Sequence, residues 1–227
     1  MSHPSAASRG ALLASLFDPE VVTLLAAPAP ADDTLYPEER AHIARAVAKR
    51  RAEFGTGRML ARRALATLGI APCALVPHAD RSPYWPPGVV GSLSHTAGCC
   101  AVALTVSPRL RALGVDVEQD TALEPRFEPT ICTPAERSWL DRAGEAQRGG
   151  NLKLLFSAKE AFYKCQYGIT RTMIGFHDVT IDLDLASRTF SVDALTHAGA
   201  AWDAMRGIEG KFVQGAGLVM TAAVLRR

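Results

Sequence analysis

Residues 114–120 read Gly-Val-Asp-Val-Glu-Gln-Asp, a strand-like run in which two carboxylates stand two positions apart. Side chains along a strand alternate faces, so Val115 and Val117 point one way and Asp116 and Glu118 the other, with Cα atoms about 6 to 7 Å apart. Two ionised carboxylates held that close repel unless one takes up a proton or a cation lies between them. Mg2+ suits such an all-oxygen pair. The plainer reading is a valine face on a core and a solvated acidic face. If the two acids do form a repelling pair, removal of either is expected to leave the fold intact and if anything to relieve it.

A second constellation lies in the helical run Asn151 to about Tyr167. At 100° per residue, Leu155, Ala158, Phe162 and Cys165 share one face, and Glu160, Lys164 and Tyr167 the opposite one. Glu160 and Lys164, one turn apart, make either an ordinary surface ion pair or, beside Asp116 and Glu118, part of a site for a metal and a phosphate. Upstream, Arg50 and Arg58 are eight residues apart and so fall on the same side of a continuous helix, where guanidinium forks match phosphate oxygens. Arg62 and Arg63 read as the wet face of that helix. In "GSLSHTAG" (91–98), Ser94 and His95 are neighbours on a strand and point to opposite faces, which rules against a proton-sharing catalytic pair. His95 then reads as a donor to an anion or as a core histidine.

The elements that must position these groups follow from the wider pattern. The chain has 227 residues, 48% hydrophobic and 21% charged, with a net charge of +2, which describes a globular protein and gives no cause to expect nucleic acid. Cys73, Cys99, Cys100, Cys132 and Cys165 are odd in number and lack a C-x-x-C spacing, so a reducing cytoplasm is expected, without a disulfide framework or zinc ribbon. "ALLASLF" lacks the features of a signal peptide, and no apolar run is long enough for a membrane span. Residues 1 to about 33 end in the loop-like "APAPADD". Pro37, Glu38 and Glu39 open a helical region that hesitates at Gly55-Thr56-Gly57 and stops at Gly69. Short strands are expected at "CALVPH", "ADRSPYWPPG", "VVGSLSH", "CCAVALTV" and "LGVDVEQ". A short helix at "CTPAERSWLDRAG", the long helix, and strands "HDVTIDLDL", "TFSVDAL" and "GLVMTAAVL" follow. Helices and then antiparallel strands, twice over, predict an α+β fold of two similar lobes, divided as 1–108 and 109–227.

In order, "RRAEFGTGR", "WPPGVVGSLSHTAG", "LGVDVE" and "FSAKEAFYK" resemble the phosphopantetheinyl transferases of the two-lobed surfactin and enterobactin type, from about Glu39 to the C-terminus. The resemblance implies a monomeric enzyme with its active site at the lobe interface. It would move 4'-phosphopantetheine from coenzyme A to a serine of an acyl or peptidyl carrier protein and release adenosine 3',5'-bisphosphate. It implies Mg2+ at Asp116, Glu118 and Glu160, with Glu160 completing the metal site or taking the serine proton. Lys164 would steady pyrophosphate charge, and Arg50, Arg58, Ser94 and His95 would hold the nucleotide, mainly its 3'-phosphate. Phe156 stands where many members have tryptophan, and between Pro77 and Arg81 only His78 or Arg81 can replace a nucleotide-binding lysine. Carrier docking is expected on the loop Asp120–Pro134, with Arg126, Phe127 and Ile131. Carriers of fatty-acid, polyketide, nonribosomal-peptide and siderophore synthesis all fit. Two rivals are a Mg2+-dependent nuclease or phosphohydrolase and a non-catalytic nucleotide-binding module.

Overall fold

The computed structural model describes residues 6–30 and 32–227; residues 1–5, and Ala31 of the "APAPADD" stretch, lie outside the described residues. The chain begins with α1 (Ala6–Ala14) and β1 (Val22–Ala26), continues through α2 (Pro37–His42) and α3 (Ala48–Thr67), and lays down β2 (Val90–Thr96), β3 (Cys99–Thr105) and β4 (Leu110–Gln119). After α4 (Glu128–Ile131), α5 (Pro134–Ala143) and the long α6 (Glu145–Thr170) come β5 (Val179–Asp184), β6 (Thr189–Leu195), α7 (Ala200–Met205), β7 (Ile208–Gly215) and β8 (Leu218–Arg226).

Two antiparallel sheets result, ordered β1-β3-β2 and β4-β8-β7-β6-β5, so the fold is α+β with sheets of three and five strands. α3 covers the first sheet through Leu60, Ala61, Ala64 and Leu65. α6 covers the second through Leu155, Ala158, Phe162 and Cys165, the face that 100° spacing picks out. Between the sheets lies a third cluster, where Leu13, Leu16 and Phe17 meet Val115, Val117, Ala101 and Met220. The N-terminal segment that carries none of the family motifs thus fills the space between the two sheets.

The sheets share no backbone ladder. Instead β2 runs beside β4 in the same direction, and the serine hydroxyls of β2 accept the N–H groups that β4 turns away from its own sheet. Val115 N–H donates to Ser92 Oγ at 3.0 Å and Val117 N–H to Ser94 Oγ at 3.3 Å. α6 lies directly on the face of the same strand that carries Gly114 and Asp116. A Cβ built at Gly114 would stand 2.0 Å from the Ala161 carbonyl oxygen and 2.8 Å from the Cys165 nitrogen. Only glycine allows that approach, and it sets the distance between the acids of β4 and the charged face of α6. Gly114→Ala is expected to push the helix off the strand, lower stability by about 1 to 3 kcal/mol or more, and cut activity with it. Thermal melting checks this, and an unchanged melting temperature would mean that the helix does not depend on the close approach.

Several expectations are corrected here. α3 passes unbroken through Gly55-Thr56-Gly57, and the interruption falls earlier, between α2 and α3. A Cβ at Gly57 would stand 2.9 Å from a methyl of Leu93, so this glycine serves the packing of β2 on the helix. "CALVPH" and "ADRSPYWPPG" form no strand; they run as irregular chain held by Arg58 and Glu39 at Leu75, by Tyr167 of α6 at Asp80 and by the Trp85 bond to the Gly91 carbonyl. α6 starts at Glu145, six residues before the expected Asn151, and the Leu123 N–H donates to the Gly149 carbonyl at 3.0 Å where the sequence shows two glycines. Arg62 is no wet-face residue, since it donates at 2.7 and 2.9 Å to Glu39, a fully buried carboxylate that also accepts the Leu75 N–H. Among the described residues no helix is long and apolar enough to cross a membrane.

Candidate active site

A cleft of about 470 Å³ opens where α3 and β2 face β4 and α6. Its walls contain every residue singled out for chemistry: Arg50, Arg58, Ser94, His95, Asp116, Glu118, Glu160 and Lys164. Cationic groups from α3 and β2 stand on one side. The three carboxylates and Lys164 stand on the other.

Asp116 is 3% exposed and tightly held. Oδ1 accepts from Ser94 Oγ at 2.8 Å and from Lys164 Nζ at 2.7 Å, and Oδ2 accepts from Ser157 Oγ at 2.8 Å. The acid face of β4 is therefore no solvated surface. Lys164 also donates to Ser94 Oγ at 3.0 Å and to the Val115 carbonyl at 3.2 Å. The expected surface ion pair of Lys164 with Glu160 is thereby corrected: the ammonium reaches back across the cleft floor to the strand acid. Ser94 Oγ gives its proton to Asp116 while accepting from Lys164 and Val117 N–H, which exhausts a hydroxyl. In this arrangement the hydroxyl serves the acid and leaves only its backbone to offer a ligand.

Glu118 faces Lys153 at 3.3 Å. Burial pushes its carboxyl above the ordinary value, Asp116 adds to the shift, and Lys153 opposes it. Glu160 has no hydrogen-bond or ion-pair partner among the described residues. Burial raises its pKa too, with Lys164 opposing and Asp116 and Glu118 adding. Among the described residues no three His, Cys, Asp or Glu side chains converge closely enough to enclose a metal ion. The donor set nonetheless fits a hard divalent cation. It is all oxygen, Asp116 keeps one lone-pair direction open on Oδ2, Glu160 is uncommitted, and a cation would relieve the charge that burial penalises at Glu118 and Glu160.

On the facing wall, the Arg58 guanidinium lies 4.1 Å over the Phe54 ring, and its Nε–H donates to the Leu75 carbonyl at 2.7 Å. Burial brings its pKa down to about 10, with Glu39 opposing and Arg50 and Arg62 adding. Both Nη groups remain for an acceptor in the cleft. Arg50 Nη1 stands 2.8 Å from His95 Nε2. Burial lowers the His95 pKa; Glu53 opposes, and Arg50 and Lys164 add.

Of the two residues offered for the segment Pro77 to Arg81, Arg81 lines the cleft while His78 packs edge-on against Tyr84 outside it. Arg81 holds a left-handed backbone, φ 68°. Beside it Asp80 accepts from Tyr167 Oη at 2.6 Å and from Ser82 Oγ at 2.6 Å, which ties the segment to α6. In the expected docking loop Phe127 is exposed under Arg126, but Ile131 is 4% exposed and belongs to the core, a correction. Sequence reasoning missed Ser157, Lys153, Glu53 and Asp80. Ser157 and Lys153 carried a legible signal, three and seven residues before Glu160 on the same helix.

Two family models match the chain. The 4'-phosphopantetheinyl transferase N-terminal domain matches residues 38–105, and the 4'-phosphopantetheinyl transferase superfamily residues 112–216. Among similar proteins is 4'-phosphopantetheinyl transferase Svp of Streptomyces mobaraensis, 38% identical over 192 residues, 83% of this chain and 77% of that one. 4'-Phosphopantetheinyl transferase PptT of Mycobacterium tuberculosis is 36% identical over 200 residues, 85% of this chain and 86% of the relative. Enterobactin synthase component D of Escherichia coli (strain K12) is 36% identical over 151 residues, 66% and 69% of the two chains.

Proposed function

The chain belongs to the 4'-phosphopantetheinyl transferase superfamily, and from that membership we propose how its cleft carries out the family's reaction. The enzyme transfers the 4'-phosphopantetheine group of coenzyme A to a serine of a carrier protein, releasing adenosine 3',5'-bisphosphate. Neither a nuclease nor a non-catalytic nucleotide-binding module has an observation in its favour. The observation that carries the residue assignments is the division of one cleft into a guanidinium and imidazole wall and a carboxylate wall with Lys164 between them.

Phosphoryl transfer asks the protein chiefly for positioning and charge neutralisation. Arg50, Arg58 and His95 would hold the 3'-phosphate, with Arg81 in place of the lysine of relatives. Asp116, Glu118 and Glu160 would hold Mg2+, which when bound would supply positive charge to offset that of the pyrophosphate. Glu160, made more basic by its burial, would take the proton of the carrier serine. Lys164, anchored by Asp116 and Ser94, would offer its charge to the pyrophosphate oxygen as the bond to phosphorus breaks. Ser94 then acts by holding Asp116 in place.

We read the units as 1–108 and 109–227, with the reaction at their junction. Every proposed site residue comes from one chain, which supports a monomer. Five free thiols support a cytoplasmic setting. Exposed Phe127 and Arg126 remain the proposed carrier contact, and since one relative is by name a component of enterobactin synthase, a siderophore-type peptidyl carrier is the first to try. The test incubates the protein with coenzyme A, Mg2+ and an unmodified carrier and weighs the carrier. A gain of one phosphopantetheine is expected, and an unchanged mass across a panel of carriers would overturn the reading.

Arg58→Ala is expected to weaken coenzyme A binding by about 1.5 to 3 kcal/mol, the worth of a charge-assisted bond to phosphate. Dephospho-coenzyme A should lose much less. Equal losses by calorimetry would move Arg58 away from the 3'-phosphate.

A further inference from the structure

Glu53 has no place in the reaction as described, yet it is 7% exposed, lines the cleft and faces a lysine and a histidine. Lys49 Nζ stands 3.9 Å away, and His95 Nδ1 lies 3.7 Å from Glu53 Oε2. The other ring nitrogen, Nε2, is 2.8 Å from Arg50 Nη1. A guanidinium only donates, so Nε2 must present its lone pair, and the ring is neutral with its proton on Nδ1 toward Glu53. Around the ring stand Arg50 and Glu53 of α3, Lys164 of α6 and Asp116 of β4. Burial, Arg50 and Lys164 favour the neutral ring, while Glu53 and Asp116 favour the charged one.

A phosphate dianion entering this wall competes for the Arg50 N–H that Nε2 now accepts. Once the phosphate takes it, the Nε2 lone pair faces an oxygen lone pair, and only a proton on Nε2 turns that clash into a bond. We propose that His95 takes up one proton from solvent as the 3'-phosphate of coenzyme A binds, and that Glu53 is the positioning residue that stabilises the resulting imidazolium through Nδ1–H. The inference rests on the assignment of coenzyme A to this cleft. The proton moves from solvent to Nε2, and no bond to phosphorus changes. Affinity is then greatest where the ring is charged in the complex and is lost as pH rises through the His95 pKa of the complex.

The test is calorimetry without metal at about pH 8, where a phosphate monoester, with its second pKa of about 6, is already a dianion. Buffers of different ionisation enthalpy report the protons bound. Coenzyme A is expected to bind with up to one more proton than dephospho-coenzyme A, and its Kd to rise by as much as about tenfold per pH unit while that proton is being lost. His95→Gln should abolish the difference. Glu53→Gln should reduce it and raise the Kd for coenzyme A by roughly tenfold, leaving dephospho-coenzyme A little changed, with Glu53→Asp restoring part of the loss. Equal proton uptake for the two ligands, or uptake that survives His95→Gln, would overturn the proposal while leaving the cleft's ligand in place. Failure of coenzyme A to bind with or without Mg2+ would remove both readings. Should Glu53→Gln not fold, the wild type and His95→Gln decide the matter.

Discussion

Asp116→Asn is expected to lower the rate of transfer by about a thousandfold or more at saturating coenzyme A, since it removes a preorganised charge from a site where negative oxygens are being handled. The amide keeps the shape of the side chain, but its one oxygen can accept from only one of Ser94 and Ser157, and its NH2 group can only donate toward the other. It cannot hold Lys164, whose carboxylate partner among the described residues is Asp116. The ammonium would then be free to leave the place proposed for it beside the pyrophosphate, and a donor atom for the proposed cation is lost in the same change. Relief of repulsion between Asp116 and Glu118 is no longer the expected effect on the fold. The acid is bound by two hydroxyls and an ammonium, so the melting temperature should fall. Carrier mass assays run well below the melting transition separate the two effects. Near-normal turnover there, at any Mg2+ concentration, would sink the assignment of Asp116.

Glu160→Gln should behave in the opposite way towards heat. Its turnover is expected to fall by about a hundredfold or more, because the amide can neither take the serine proton nor offer a charged oxygen to the cation. Coenzyme A should still bind. The wild-type carboxyl is raised by burial, so the folded state binds its proton more tightly than the unfolded chain does. Its contribution to stability is present below the unfolded-state pKa and is lost as pH rises through the folded one. At neutral pH, without ligand, the glutamine enzyme should therefore melt no lower than the wild type, and higher if the effect is large. Melting curves across pH and single-turnover kinetics check the pair of outcomes. A variant that keeps its turnover would return Glu160 to an ordinary helix surface.

Much of this site was legible because it depends on short periods. Alternation along β4 separates Val115 and Val117 from Asp116 and Glu118, and helical spacing puts Glu160, Lys164 and Tyr167 on one face and Arg50 beside Arg58. What escaped depends on contacts distant in sequence. Lys164 could not be assigned to Asp116 in place of Glu160, because that choice is made by the Gly114 approach of helix to strand. Glu53 looked like one more charged helix residue until β2 brought His95 beside it. Arg62 and Glu39 are 23 residues apart, and their burial follows from the chain around Leu75 folding over them. β7, with its two glycines, reads poorly as a strand, yet Ile208, Gly210 and Phe212 alternate inward, and Phe190 occupies the space that a side chain at Gly210 would fill. α1 carries no family pattern because its task is to fill space between the sheets, and many apolar sequences can do that.

The serine hydroxyls between β2 and β4 have a meaning beyond the site. β4 is a largely buried edge strand of ten residues, with its outward N–H and C=O groups aligned as a template for any passing extended chain. Ser92 and Ser94 take two of its amides, and Lys164 takes the Val115 carbonyl, so the template is blocked by side chains. A polypeptide cut between β3 and β4 would bare that edge and invite aggregation. The first half of the chain thus protects the second from unwanted pairing, and the protective contacts are made by the same serine and lysine that hold Asp116.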